Sequence, residues 1–329
     1  MNLNPEDMSQ LVQGYRKDFL GKKSRVKLPV LNTKQKKDLV KYGGDKYVLD
    51  YIHYSLVMSK TRRFAYYAAV NIDGATWRDN ARKGSWKKDG RINGKDQFGS
   101  ELYNATKSDF DKGHLVRRED PEWGDRQVSV EAGESTFRYP NCVPQHKKLN
   151  QDIWAELESN ILHKGANGQQ LKISVFTGPI LSDNDGVFVT KVNDQEVKIP
   201  NLFWKIVTWV KTNGKLYAVG FIQSQEKFLV EGGIIRKLFV PNKLRLKKLA
   251  DDDIFEHLKF RDGKTYQVRV EEIENLTRLK FDWPGAVRPF KKMEPVRIRS
   301  RKLKRSLHTA HTGIMPKKMK LSLQGLELG

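Results

Sequence analysis

Three apolar runs, LKISVFTGPIL at 171–181, NLFWKIVTWV at 201–210 and KLYAVGFIQS at 215–224, constrain the fold more than any other feature. Each has strand length and is rich in β-branched and aromatic residues, with turn residues between them. YVLDYIHYSLVMS at 47–59 and FAYYAAVNID at 64–73 have the same character. Such runs are read as buried sheet strands. TYQVRVEEIENLTRLKF at 265–281 adds a strand and a short helix that close the core near Phe281. After Asn150, the residues Ile153, Trp154, Leu157, Ile161 and Leu162 recur at helical spacing, and Gly165 suits the helix exit. The expected fold class is α+β, with a central, largely antiparallel sheet flanked by helices.

The rest of the chain divides by composition. Residues 1–45 read as an N-terminal arm with a short helix at Glu6–Tyr15. Residues 46–288 form the main domain, with an insertion at 225–262, and residues 289–329 form a basic C-terminal tail of low periodicity. The polar, Gly-rich stretch 74–107 reads as a long loop, of a length that is usually functional or disordered. A formal charge of +22 favours polyanionic partners, nucleic acid first and an anionic membrane surface or acidic protein second. The single cysteine, Cys142, excludes an internal disulfide and every multi-cysteine zinc site. There is no signal-peptide h-region and no run of membrane-spanning length, so a soluble, cytoplasmic protein with no membrane association is expected.

Two polar clusters bear on chemistry. SDFDKGHLVRREDPEWG at 108–124 sets His114 behind an Asp-Lys-Gly turn and ahead of dense charge. FRYPNCVPQHKKLNQDIWAELE at 137–158 places Asn141 before a Pro144-Gln145 turn, then spaces Asn150, Trp154 and Glu158 four apart. On a helix, Asn150 and Glu158 share a face with their backbones about 12 Å apart. That separation suits one direct ligand and one partner reached through water, as Mg²⁺ prefers. Taken alone, the second cluster reads as a capped surface helix.

In order and together, DFDKGHLV, NCVPQ and LNQDIWAELE resemble the DNA/RNA non-specific endonuclease family, the ββα-metal nucleases that include endonuclease G. The resemblance covers roughly residues 46–225 and 262–285. It implies a ββα-metal site in which His114 is the general base and Asn150 the direct ligand of Mg²⁺, with Mn²⁺ as a substitute. Glu158 would hold a metal-bound water, Asn141 would fix the site through hydrogen bonds, and Asp111 would shape the turn. Lys112 stands where the family has Arg, keeping the charge for a phosphate contact without the bidentate fork. Arg117 and Arg82, and with them Arg118 and Arg91, are candidates for further substrate contacts, the alternative being solvated surface charge.

The implied activity is Mg²⁺-dependent, sequence-tolerant hydrolysis of DNA and RNA to 5′-phosphate and 3′-hydroxyl ends. Nucleic acid is the partner; an inhibitor protein, an activating protease and a homodimer are the further associations considered. The rival reading is a catalytically weak nucleic-acid-binding protein on a nuclease fold. Outside the clusters, His146 reads as a solvated loop residue, Cys142 as a small buried one, and His308 and His311 as tail residues.

Overall fold

The computed structural model describes residues 12–150, 155–236 and 266–288. Trp154, residues 237–262 of the insertion, the tail with His308 and His311, and residues 6–11 of the N-terminal helix lie outside them.

The apolar runs form one seven-stranded sheet in which every neighbouring pair is antiparallel. In chain order its strands are β1 (Val48–Asp50), β2 (Tyr54–Met58), β3 (Ala65–Asp73), β6 (Lys172–Ile180), β8 (Leu202–Val210), β9 (Leu216–Ser224) and β11 (Tyr266–Val268). Their spatial order is the same. A separate two-stranded hairpin, β4 (Phe110–His114) and β5 (Cys142–His146), lies between β3 and β6 in sequence. A second small pair joins β7 (Val187–Phe188) to β10 (Ile235–Arg236). The helices are short: α1 (Thr33–Lys37), α2 (Ser100–Tyr103), α3 (Arg126–Ser135), α4 (Ala155–Ser159), α5 (Glu226–Glu231) and α6 (Val270–Thr277). No helix among the described residues is long and apolar enough to cross a membrane.

Side-chain alternation divides the sheet into two buried faces. Val70, Val175, Phe203, Val207 and Phe221 point to the face that also buries Phe110, Val143, Leu157 and Leu162. Tyr67, Phe176, Trp204, Ile206 and Ile222 point to the other, against Val270, Ile273, Phe281 and Trp283. The hairpin and its following helix therefore occupy one face of the sheet and α6 the other. Pro179 is tolerated in β6 because β3 pairs only as far as Thr177, leaving that end bonded on one side.

Several local expectations are corrected. Residues 12–15 are not helical; Gly14 donates to the Tyr51 carbonyl and Tyr15 N to Ser55 Oγ, so this backbone is held by the sheet. Tyr15, Val26, Leu31 and Leu39 then join the second core, which makes this part of the N-terminal arm a layer of the fold. The helix after β5 does not exit at Gly165. It widens into a π-helical stretch, Asn160–Asn167, closed where Gly168 N donates to the His163 carbonyl. Gly74 makes room for it, since a Cβ there would fall 2.0 Å from the Ala166 carbonyl oxygen.

Phe176 is fully buried and touches Tyr15, Phe281 and Trp283. Phe176→Ala should cost about 3–5 kcal/mol, read from urea unfolding with an unchanged m-value. A loss below about 1 kcal/mol would mean that the N-terminal segment and C-terminal aromatics do not close on this face.

Candidate active site

The chemistry-bearing segment is the β4–β5 hairpin. Asp111, Lys112 and Gly113 are strand residues, not a turn, and they pair with Gln145, Pro144 and Val143. The Asn141–Gln145 stretch is likewise a 3₁₀ turn running into β5. Both segments carry turn-forming residues, but each supplies the ladder for the other. Alternation puts His114 and Lys112 on one face of the hairpin, Asp111 and Gly113 on the other. Gly113 is required where it stands: a Cβ would lie 2.2 Å from Gln145 Oε1.

Asn141 fastens the hairpin. Its buried amide accepts from Val116 N at 2.9 Å and donates to the Val116 and Thr136 carbonyls at 2.9 and 3.1 Å. Its own carbonyl accepts from Leu115 N. The exit of β4, the end of α3 and the start of β5 are thus held by one side chain.

His114 leaves this clamp into an aromatic slot. Trp86 lies 4.5 Å away between ring centroids and Phe137 5.0 Å away, edge to face. The Thr136 hydroxyl donates to the Gly133 carbonyl, so its 3.4 Å contact with His114 Nε2 suits an N–H there and leaves Nδ1 as acceptor. The ring remains partly exposed. Burial, with the Arg82, Arg118 and Arg117 guanidinium groups nearby, pushes the imidazole down to about 3.

Glu158 pairs with Lys205 at 3.1 Å, and Lys205 is one of the largest fully buried side chains. Asp120 sits beside this pair; burial pushes its carboxyl up to about 7 against the pull of Lys205. Arg117 is the link, because it acts electrostatically on both His114 and Asp120. It pairs with Glu119 at 2.6 Å, and its Nη1 is buried without a hydrogen-bond partner. Arg118 is bound to Glu119, Glu122 and the Asn80 carbonyl. Arg82 is exposed, 5.7 Å above the Phe137 ring.

Asn150 donates Nδ2 to Asp111 Oδ2 at 3.0 Å, which orients its carbonyl oxygen away from that bond. Asp111 is therefore a partner of Asn150 instead of a turn former. Across the ladder from Asp111, the Gln145 amide is fully buried with neither polar atom hydrogen-bonded. Amide and carboxylate oxygens are the donors a hard divalent cation takes. Among the described residues no three His, Cys, Asp or Glu side chains converge into a protein cage. The residues present fit an ion that keeps most of its water.

Arg91 is not brought to the site. It is bound to Asp89 at 2.7 Å and to the Asp50 carbonyl at 2.7 Å. His146 is buried and stacked on Phe228, not solvated, because its backbone is held by Gln225. Cys142 is buried and donates to the Tyr103 hydroxyl oxygen. Lys205, Asp120 and Trp86 are site residues that the sequence reading did not single out. Lys205 had a visible signal, as the lone cation inside an apolar strand.

The model of the family described as DNA/RNA non-specific endonuclease matches residues 33–285. Over 282 residues the chain is 36% identical to the uncharacterized protein y4fB of Sinorhizobium fredii, covering 82% of this chain and 39% of that one. It is 24% identical to a nuclease of Nostoc sp., covering 73% and 75% of the two chains. A salivary endonuclease of Culex quinquefasciatus is 28% identical over 30% of this chain and 26% of its own. The chain thus spans well under half the length of the rhizobial and mosquito relatives. A solved structure of an EndoG/EndoGI complex matches with a TM-score of 0.47 and 16% identity, covering 75% of this chain and 89% of that one. The chain belongs to the DNA/RNA non-specific endonuclease family.

Two outcomes are expected from this geometry. In an NMR titration of the metal-free protein, the His114 ring should stay neutral from pH 8 to 5, because its depressed pKa means protonation begins only at lower pH. A midpoint near the ordinary imidazole value of about 6.5 would contradict the slot. Asn141→Ala orphans three buried backbone groups and should destabilise the fold by roughly 3 kcal/mol or more. Asn141→Asp should not restore it, having no proton to donate to the carbonyls.

Proposed function

We propose that this chain is a Mg²⁺-dependent nuclease that hydrolyses phosphodiester bonds of DNA and RNA without sequence preference. The observation that carries the reading is the placement of His114: a partly exposed residue with its imidazole in an aromatic slot, at the end of the strand whose Asp111 bonds Asn150. His114 Nδ1 takes a proton from water as the water oxygen attacks phosphorus in line. The new P–O bond forms as the bond to the 3′ oxygen breaks, and that oxygen is protonated from solvent. The ends are a 5′-phosphate and a 3′-hydroxyl.

Asn150 Oδ1 would hold the ion directly, and Glu158, steadied by Lys205, would hold it through an intervening water. When bound, Mg²⁺ neutralises charge on the scissile phosphate and leaving oxygen. Lys112, on the same hairpin face as His114, contacts a phosphate as a point charge. Arg82 contacts phosphate oxygens, and Arg117, with its Nη1 buried, adds its charge to the field that attracts them. Contacts of this kind position a backbone and carry no sequence information.

The Lys112 departure is the feature that favours the binding-only alternative. Purified protein incubated with plasmid, single-stranded DNA and RNA should cleave each in Mg²⁺ and none in EDTA. His114→Ala should lower turnover by about 10²–10⁴-fold while duplex binding in EDTA is retained. Asn150→Ala should raise the Mg²⁺ needed for half-maximal rate more than Glu158→Gln does. Wild-type protein that binds all three substrates and cleaves none would leave only the binding reading.

A further inference from the structure

Beyond the hairpin, exposed positive charge is gathered on the turn Arg16–Lys27. Lys17, Lys22, Lys23 and Arg25 are all exposed there, with Asp18 the single acid among them. Among the described residues none of these four has an ion-pair partner, whereas Lys27 is paired with Asp282. Like charges crowded on one short turn repel one another, so their retention without counter-charges points to an external anion.

The turn is folded on itself and bolted down. Phe19 N donates to the Arg16 carbonyl, Gly21 N to Asp18, Ser24 N to Gly21 and Val26 N to Lys17. Asn71, in β3, accepts from Arg16 N at 2.7 Å and returns a bond to the Arg16 carbonyl. The carbonyl of the same Asn71 accepts from Trp123 Nε1 at 2.7 Å. Phe19, buried at the centre of the turn, lies 5.4 Å from Trp123, and His53 stacks on Trp123 at 3.5 Å. Burial keeps His53 neutral, pushing it down to about 4, so it serves as an aromatic slab and adds no charge.

Trp123 places the turn relative to the site. It ends the segment that leaves β4 through Arg117 and Arg118, and Trp77, bridged to Trp123, donates to the Glu119 carbonyl. From His114 to Trp123 the chain spans at most roughly 30 Å fully extended. That corresponds to about nine base pairs of duplex.

We propose that the turn carrying Lys17, Lys22, Lys23 and Arg25 is a second nucleic-acid-backbone surface, holding phosphates of the same substrate several nucleotides from the scissile bond. It rests on the reading of nucleic acid as substrate. It adds affinity for long substrates and contributes nothing to the bond-breaking step, because among the described residues no hydrogen bond or ion pair joins Lys17, Lys22, Lys23 or Arg25 to β4 or β5.

The test is the combined variant Lys22→Ala, Lys23→Ala, Arg25→Ala, whose side chains are exposed and whose backbone bonds are untouched. Binding of a duplex of about 30 base pairs is measured in EDTA between roughly 50 and 200 mM KCl. Each lost phosphate contact should make the slope of log K against log[KCl] shallower by about 0.9, so a change of about 2–3 is expected. In Mg²⁺, KM for that duplex should rise at unchanged kcat, while kcat/KM for a short oligonucleotide of about six residues stays at the wild-type value. An unchanged salt slope overturns the surface. A variant that keeps the DNA slope but loses binding to phosphatidylserine vesicles also overturns it, making the turn a lipid contact. Wild-type protein that binds no nucleic acid at all would instead overturn the proposed function.

Discussion

One buried amide fixes how the two strands of the hairpin and the helix between them stand to one another. Asn141 uses its acceptor and both donors on Val116 and Thr136. The strand that ends in His114, the helix that ends beside its ring and the strand that begins at Cys142 therefore share one rigid joint. Local propensity alone would not hold FDKGH or CVPQH extended. Two short strands in an isolated hairpin are marginal in water. They persist here because the joint closes one end and the apolar face of the sheet buries Phe110 and Val143 behind them.

The electrostatics follow a second rule. The chain is strongly cationic, yet Arg117, Arg118 and Lys205 around the hairpin are each matched to an acid. A buried ion pair of this kind adds little net stability, but removing one partner strands the other at a cost of about 3–5 kcal/mol. Its value lies in orientation. Lys205 holds one Glu158 oxygen and Glu119 holds the planes of two guanidinium groups, whose field adds to burial and to Arg82 in keeping the His114 imidazole unprotonated. Acid matched to base, at fixed geometry, lets a basic surface coexist with a neutral histidine.

The long strands were legible because their apolar runs have strand length with turn residues between them, and the helix after Asn150 was legible because Leu157, Ile161 and Leu162 recur at helical spacing. What was not legible depends on contacts distant in sequence. Asp111-Lys112-Gly113 looks like a turn until Gln145-Pro144-Val143 is laid beside it. Arg91 looks like a free cation until Asp50, far earlier in the chain, offers its carbonyl. His146 looks solvated until Phe228 covers it. Lys205 is the instructive miss: a charge in an apolar strand breaks the pattern, and Glu158 on a separate helix answers it.

The aromatic slot has a consequence for how the molecule can be watched. Trp86 is in van der Waals range of the imidazole, wedged against Phe137 and Tyr139. Indole emission responds to a charge or polar atom arriving at such range. The slot therefore carries its own lamp, and an anion arriving beside His114 or a proton settling on it would change the light of Trp86 without any label.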